Sequence, residues 1–172
     1  MLMIQRIQTV YMLASVIAIL MMLVMPLGTI CSNDAYFDLT ALGISSVTEG
    51  VVLDEMCYDL LSLILLMLAL PLVCIFLYKR RKLQLRILIY TAVLDVLFYA
   101  YFFLYEAPVV KGMAMQALSN SGFTAEVTAD YAICLYAMPA LSLFCCIMAW
   151  RGVIYDIALL SAADRLRPSR KK

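Results

Sequence analysis

Residues 60–82 read LLSLILLMLALPLVCIFLY followed by KRRK: no side chain from Leu60 to Tyr78 carries a charge, and Lys79, Arg80, Arg81 and Lys82 then follow without a break. A helix needs about 20 apolar residues to cross a hydrocarbon core of ~30 Å. The stretch therefore reads as a membrane span that ends in a cationic stop.

Working outward, the same alternation recurs. Arg6 and Asp34 bracket an uncharged run whose apolar part, 7–30, is long enough to cross. Arg86 and Glu106 bracket 87–105, and Asp130 and Arg151 bracket 131–150. With 60–78 this makes four spans. The first is too long for a signal-peptide core and no small-residue cleavage site follows it, so it reads as retained. Ile30 before Cys31 argues against a lipoprotein box.

Composition agrees. Of 172 residues 66% are hydrophobic and only 15% charged, with a mean hydropathy of +0.97. Such a chain needs a non-aqueous solvent. The fold class expected is all-α, a polytopic four-transmembrane-helix bundle forming a single membrane domain over 1–172.

Basic residues in short loops resist translocation. The 79–86 connection holds Lys79, Arg80, Arg81, Lys82 and Arg86, and the 151–172 tail holds Arg151, Arg165, Arg167, Arg170, Lys171 and Lys172. Loop 31–59 has only acids (Asp34, Asp38, Glu49, Asp54, Glu55, Asp59), and 106–130 has Glu106, Glu126 and Asp130 against Lys111. The expected map places both termini in the cytoplasm and loops 31–59 and 106–130 outside. Asp54, Glu55 and Asp59 then stand at the positive end of the second helix dipole.

Within the outer loops, Tyr36–Thr40 and Gly50–Leu53 have strand-like composition around a turn-rich stretch, suggesting a small hairpin cap. Val109–Leu118 suggests a short interfacial helix ended by Ser119–Gly122. In the tail, Ile154, Ile157, Ala158 and Ser161 fall on one helical face, as if the fourth helix ran on along the membrane surface. Tyr99, Tyr101, Phe102, Phe103 and Tyr105 form an aromatic belt, and Ala14, Ala18 and Ala149 suit close helix contact.

Chemistry has few places to sit. There is no histidine, so the commonest general base and metal ligand is missing. The six cysteines form no metal or redox spacing, and a Cys31–Cys57 disulfide near the outer face is an open alternative. No catalytic residue, cofactor, metal or nucleic-acid partner is expected, and the chain does not read as an enzyme.

Asp95, near the middle of 87–105, is the exception. An intramembrane carboxylate costs about 2.5–3.5 kcal/mol on insertion scales, and no Lys, Arg or His lies within any span to offset it. Thr91 and Tyr99 stand one turn either side on its face. Thr91, Asp95 and Tyr99 thus form a candidate polar site, either a proton-carrying or substrate-coordinating carboxylate or an interhelical hydrogen bond. A second candidate is the cytoplasmic surface of Arg6, Lys79, Arg80, Arg81, Lys82, Arg86, Arg165 and Arg167, reading as a lipid or partner surface or as a plain topology signal.

Three stretches carry a resemblance: Met3-Ile4-Gln5-Arg6-Ile7-Gln8-Thr9-Val10-Tyr11, Arg81-Lys82-Leu83-Gln84-Leu85-Arg86 and Ser161-Ala162-Ala163-Asp164-Arg165-Leu166-Arg167. The chain resembles an uncharacterised family of small four-helix inner-membrane proteins of Bacteroidota, catalogued as a domain of unknown function. The resemblance implies a Gram-negative inner membrane and no particular active residue. The expected role is a non-enzymatic scaffold or accessory subunit, with the bilayer, other membrane proteins or a second copy as partners. The alternative is a small oligomeric transporter or channel component using Asp95.

Overall fold

The computed structural model describes residues 2–32, 35–47, 54–77, 80–120 and 127–166. Lys79, Arg167 and the Gly50–Leu53 stretch fall outside them, as do the side chains of Arg6 and Arg165. The chain is mostly helical, and four of its helical runs are long and apolar enough to cross a membrane.

Helix α1 spans Leu2–Val24, α2 Tyr58–Phe76, α3 Arg81–Tyr101 and α5 Ile133–Leu166. Helix α1 packs on α2 and α5, and α3 packs on α2 and α5, which closes a ring of neighbours. Large apolar side chains face outward all round it, among them Val10, Ile17, Phe76, Val96 and Phe144. Apolar surface of that extent is stable only against lipid or protein.

The all-α expectation needs correction, because a five-stranded antiparallel sheet of order β4-β3-β2-β1-β5 covers one end of the helices. Its strands are β1 Gly28–Cys31, β2 Tyr36–Leu39, β3 Gly43–Ser46, β4 Asp54–Met56 and β5 Thr128–Tyr131. The hairpin expected at Tyr36–Thr40 is part of this sheet, but β2 pairs with β1 and β3. Strand β5 comes from the other connection and closes on β1.

The first apolar run was expected to be helical to Ile30. Helix α1 instead stops at Val24, and Gly28–Cys31 is strand. Pro26 cannot donate a backbone hydrogen bond and Thr29 and Ile30 are β-branched, so the end of the run favours extended backbone. Gly28 is needed for the pairing, since a Cβ there would lie 2.9 Å from the Asp130 carbonyl oxygen.

The expected interfacial helix is also different in kind. Helix α4, Ala107–Asn120, continues α3 through a π-helical turn at Phe102–Glu106. Pro108 explains the wide turn, because its ring cannot donate and pushes the preceding carbonyls away. Ala107 N–H accordingly reaches back to the Phe102 carbonyl. At 1.5 Å per residue, Arg81–Asn120 is roughly 60 Å long, twice a hydrocarbon core.

That surplus builds the cap. Val110, Ala114, Ala117 and Leu118 of α4 share one buried cluster with Leu27, Ile30, Phe37, Leu39 and Ile44 of the sheet region and with Ile19, Met22, Ile64, Phe98 and Phe102 of the helices. Cap and helices therefore have a single core. In the tail, helix α5 runs on to Leu166, burying Val153 and Asp156, while on the face read from the sequence Ile154, Ala158 and Ser161 are exposed and Ile157 is half-buried.

Gly43 has φ of 153°, and a Cβ there would fall 2.1 Å from the Glu55 carbonyl oxygen across the β3–β4 pair. Gly43→Ala should destabilise the cap by about 1–3 kcal/mol. Limited proteolysis in mild detergent should then cut the 32–57 region faster while sparing the helices.

Candidate functional site

Two polar clusters are buried between the helices. The first is built on Asp95, which is fully buried on the inner face of α3 with Thr91 and Phe98. Its Oδ2 accepts a hydrogen bond of 3.0 Å from the Ser142 hydroxyl of α5. Ser142 Oγ lies 2.8 Å from Ser15 Oγ of α1, and Ser15 is 3.9 Å from Cys146 Sγ. A chain of small polar groups thus ties α3, α5 and α1 together. Asp95 Oδ1 has no partner among the described residues.

The structure does not join the three side chains grouped on this face by sequence. Thr91 Oγ1 donates to the Ile87 carbonyl of its own helix at 2.9 Å, the usual way for a helical threonine to satisfy itself. Tyr99 OH donates to the Tyr136 carbonyl on α5, in the turn loosened by Pro139. Sequence reasoning missed Ser15 and Ser142. Their only signal is being hydroxyls inside otherwise apolar runs.

The second cluster lies at the opposite end from the sheet. Gln8 Nε2 donates to Asp156 Oδ2 at 2.9 Å, and Arg81 Nη1 stands 4.0 Å from the same oxygen. Gly152 lets α5 close on α1, since a Cβ there would lie 2.9 Å from Gln8 Cγ. Gln84 is buried beside it and its amide faces Met12 Sδ at 3.7 Å. Gln8, Arg81 and Gln84 come from two of the three stretches that carry the family resemblance. Of the basic surface expected there, Arg80, Lys82 and Arg86 are exposed and Arg81 is partly covered.

A third buried acid had been read as a loop residue. Glu106, on the π-helical turn, is 3% exposed and accepts from Tyr101 OH at 3.0 Å. It also lies within hydrogen-bond reach of Cys57, whose thiol burial and this acid push up to about 12. Cys57 and Cys31 are both free. They sit at opposite corners of the sheet, with Cys31 in the Tyr36 row of β1 and Cys57 just after β4, so three inter-strand steps of about 4.8 Å separate them. A disulfide cannot span that distance.

No group of three or more potential metal-ligating acids or cysteines occurs among the described residues. The polar atoms can accept and pass hydrogen bonds between helices, and Asp95 can hold a proton.

The chain belongs to the family described as domain of unknown function (DUF4293), whose model matches residues 4–166. No curated protein matches it.

Ser142→Ala should leave both Asp95 oxygens unpaired and cost about 1–3 kcal/mol, seen as a lower melting temperature in detergent. Asp95→Asn keeps an acceptor for Ser142, so its cost should stay near the ~0.6 kcal/mol average for intramembrane hydrogen bonds. The raised Cys57 thiol sets a pH window. Below its ordinary value of 9.0 both folded and unfolded thiols are neutral; above it the unfolded thiol ionises first. The cap should lose stability as pH rises from 9 towards 12, and iodoacetamide should label Cys57 at pH 8 only after unfolding.

Proposed function

We propose that this family member is a non-enzymatic scaffold or accessory subunit of a membrane complex, crossing a Gram-negative inner membrane four times with both termini in the cytoplasm. The observation that carries this reading is the burial of Asp95: the one acid at mid-span is 0% exposed and bonded to Ser142. Asp95 Oδ2, Ser142 and Ser15 are spent on joining helices, which favours the outer surfaces as the working parts.

Those surfaces are well supplied. The sheet end exposes Tyr36, Leu42, Val47 and Met56, apolar side chains on a polar cap. Strand β4 is exposed along its length and, among the described residues, forms an edge of the sheet. The helices turn apolar faces outward. Helical spans point to an inner rather than an outer membrane, where spanning proteins are closed barrels. Arg80, Arg81, Lys82 and Arg86 favour the cytoplasm for the end opposite the sheet.

The second reading is a small oligomeric transporter or channel component using Asp95. It draws on Asp95 Oδ1, which has no partner among the described residues and would suit a proton or a polar substrate. Four helices would then have to assemble around a shared path.

Reporter fusions at Ser45 and Asn120 should read outside, and those at Leu83 and Lys172 inside; an outer C-terminus overturns the map. Purification in mild detergent should yield a stoichiometric partner that is lost on Leu42→Asp or Val47→Asp. A monodisperse homomer, together with loss of cellular function in Asp95→Asn at normal protein levels, would replace the scaffold with the transporter.

A further inference from the structure

Between the start of α3 and the extension of α5 lies an open groove of about 860 Å³, lined by Arg80, Arg81, Lys82, Leu83 and Arg86 on one side and Ile157, Leu160 and Ser161 on the other. Its chemistry is divided. The α3 side carries cations, while Ile157, Leu160 and Ser161 are one face of α5 at helical spacing and are mainly apolar.

The cations are poorly compensated. Helix α3 has no acid in its first turn, and Arg80 at its N-cap makes no side-chain cap hydrogen bond. Lys82 and Arg86 stand one turn apart on the same face, where like charges repel. Among the described side chains Asp156 is the acid that faces them, and it already accepts from Gln8 while standing 4.0 Å from Arg81. Arg80, Lys82 and Arg86 remain exposed beside it. The groove has the complement of a group that is anionic at one end and hydrocarbon at the other.

Depth selects among such groups. On the four-span reading, Arg86 closes one apolar run and Arg151 another, so the groove starts at the edge of the hydrocarbon and extends roughly 10 Å out through the headgroup level. We propose that it binds an anionic phospholipid, with the phosphate among Arg80, Lys82 and Arg86, the glycerol ester region covered by Ile157 and Leu160, and the acyl chains returning past Leu83 to the hydrocarbon. The inference rests on the spans and not on the scaffold role. A free phosphate would use the cations alone and gain nothing from the apolar wall.

The test uses the full chain in mild detergent, exchanged against phosphatidylglycerol or phosphatidylcholine of identical acyl chains, with retained lipid counted by native mass spectrometry. Phosphatidylglycerol should be retained about tenfold or more over phosphatidylcholine, and retention should fall with salt. The triple variant R80Q/K82Q/R86Q should bring it to the phosphatidylcholine level. Leu160→Glu should do the same while leaving the topology-setting loop charge intact, with circular dichroism unchanged in both. Equal retention of the two lipids, or no effect of either variant, overturns the proposal. So does displacement of phosphatidylglycerol by millimolar inorganic phosphate, which would mark a free-phosphate site. An acidic protein that occupies the groove in place of lipid, and leaves on the triple substitution, overturns it as well.

Discussion

Inside a bilayer no water is available to satisfy a polar group, so every one placed there must find its partner in the protein. Asp95 is where that constraint bears hardest. It sits fully buried, and the structure answers with Ser142, which is in turn held by Ser15. Three helices are thereby fixed at one depth, because a slip of one residue along any of them would turn a hydroxyl or the carboxyl away from its partner. The apolar contacts around them, such as Met12 with Cys146 and Ala149, have no comparable directionality.

A second cluster repeats the arrangement one end further on. Gln8 and Asp156 tie α1 to α5, and Gly152 permits the approach. With Ser15–Ser142 this gives α1 and α5 two polar anchor points, which sets register as well as contact. At the sheet end a wide apolar cluster does most of the equivalent work, with the buried Tyr101–Glu106 pair set beneath it.

The helices were legible in the sequence because charge brackets them: a run from Leu60 to Tyr78 between Asp59 and Lys79 has one reading. The sheet was only partly legible. Tyr36–Leu39 has the aromatic and aliphatic alternation of a strand, but Gly28–Cys31 is the end of a longer apolar run and looks the same as helix until Pro26 is weighed. Thr128–Tyr131 carries no strand pattern, and its partner β1 lies about a hundred residues earlier, a pairing that only the finished fold brings together. The Asp95 site shows the same limit. The acid was evident from its position in an apolar run, whereas its partner was sought on the same helix, at Thr91 and Tyr99. Helical spacing says which residues share a face but not which helix that face meets.

The length of α3 and α4 connects these parts. A span that ended at the membrane would leave the sheet as a loose loop structure resting on helix ends. Instead the helical run continues through the Pro108-widened turn, brings Glu106 under Cys57 and Tyr101, and supplies Val110, Ala114 and Leu118 to the underside of the sheet. The cap is therefore continuous with the helix that carries Asp95, while the other end of the same helix opens with Arg80, Arg81 and Lys82. The underside of the sheet and one wall of the basic groove are thus built from a single helical run of forty residues, Arg81–Asn120, so the depth of Asp95 fixes the position of both.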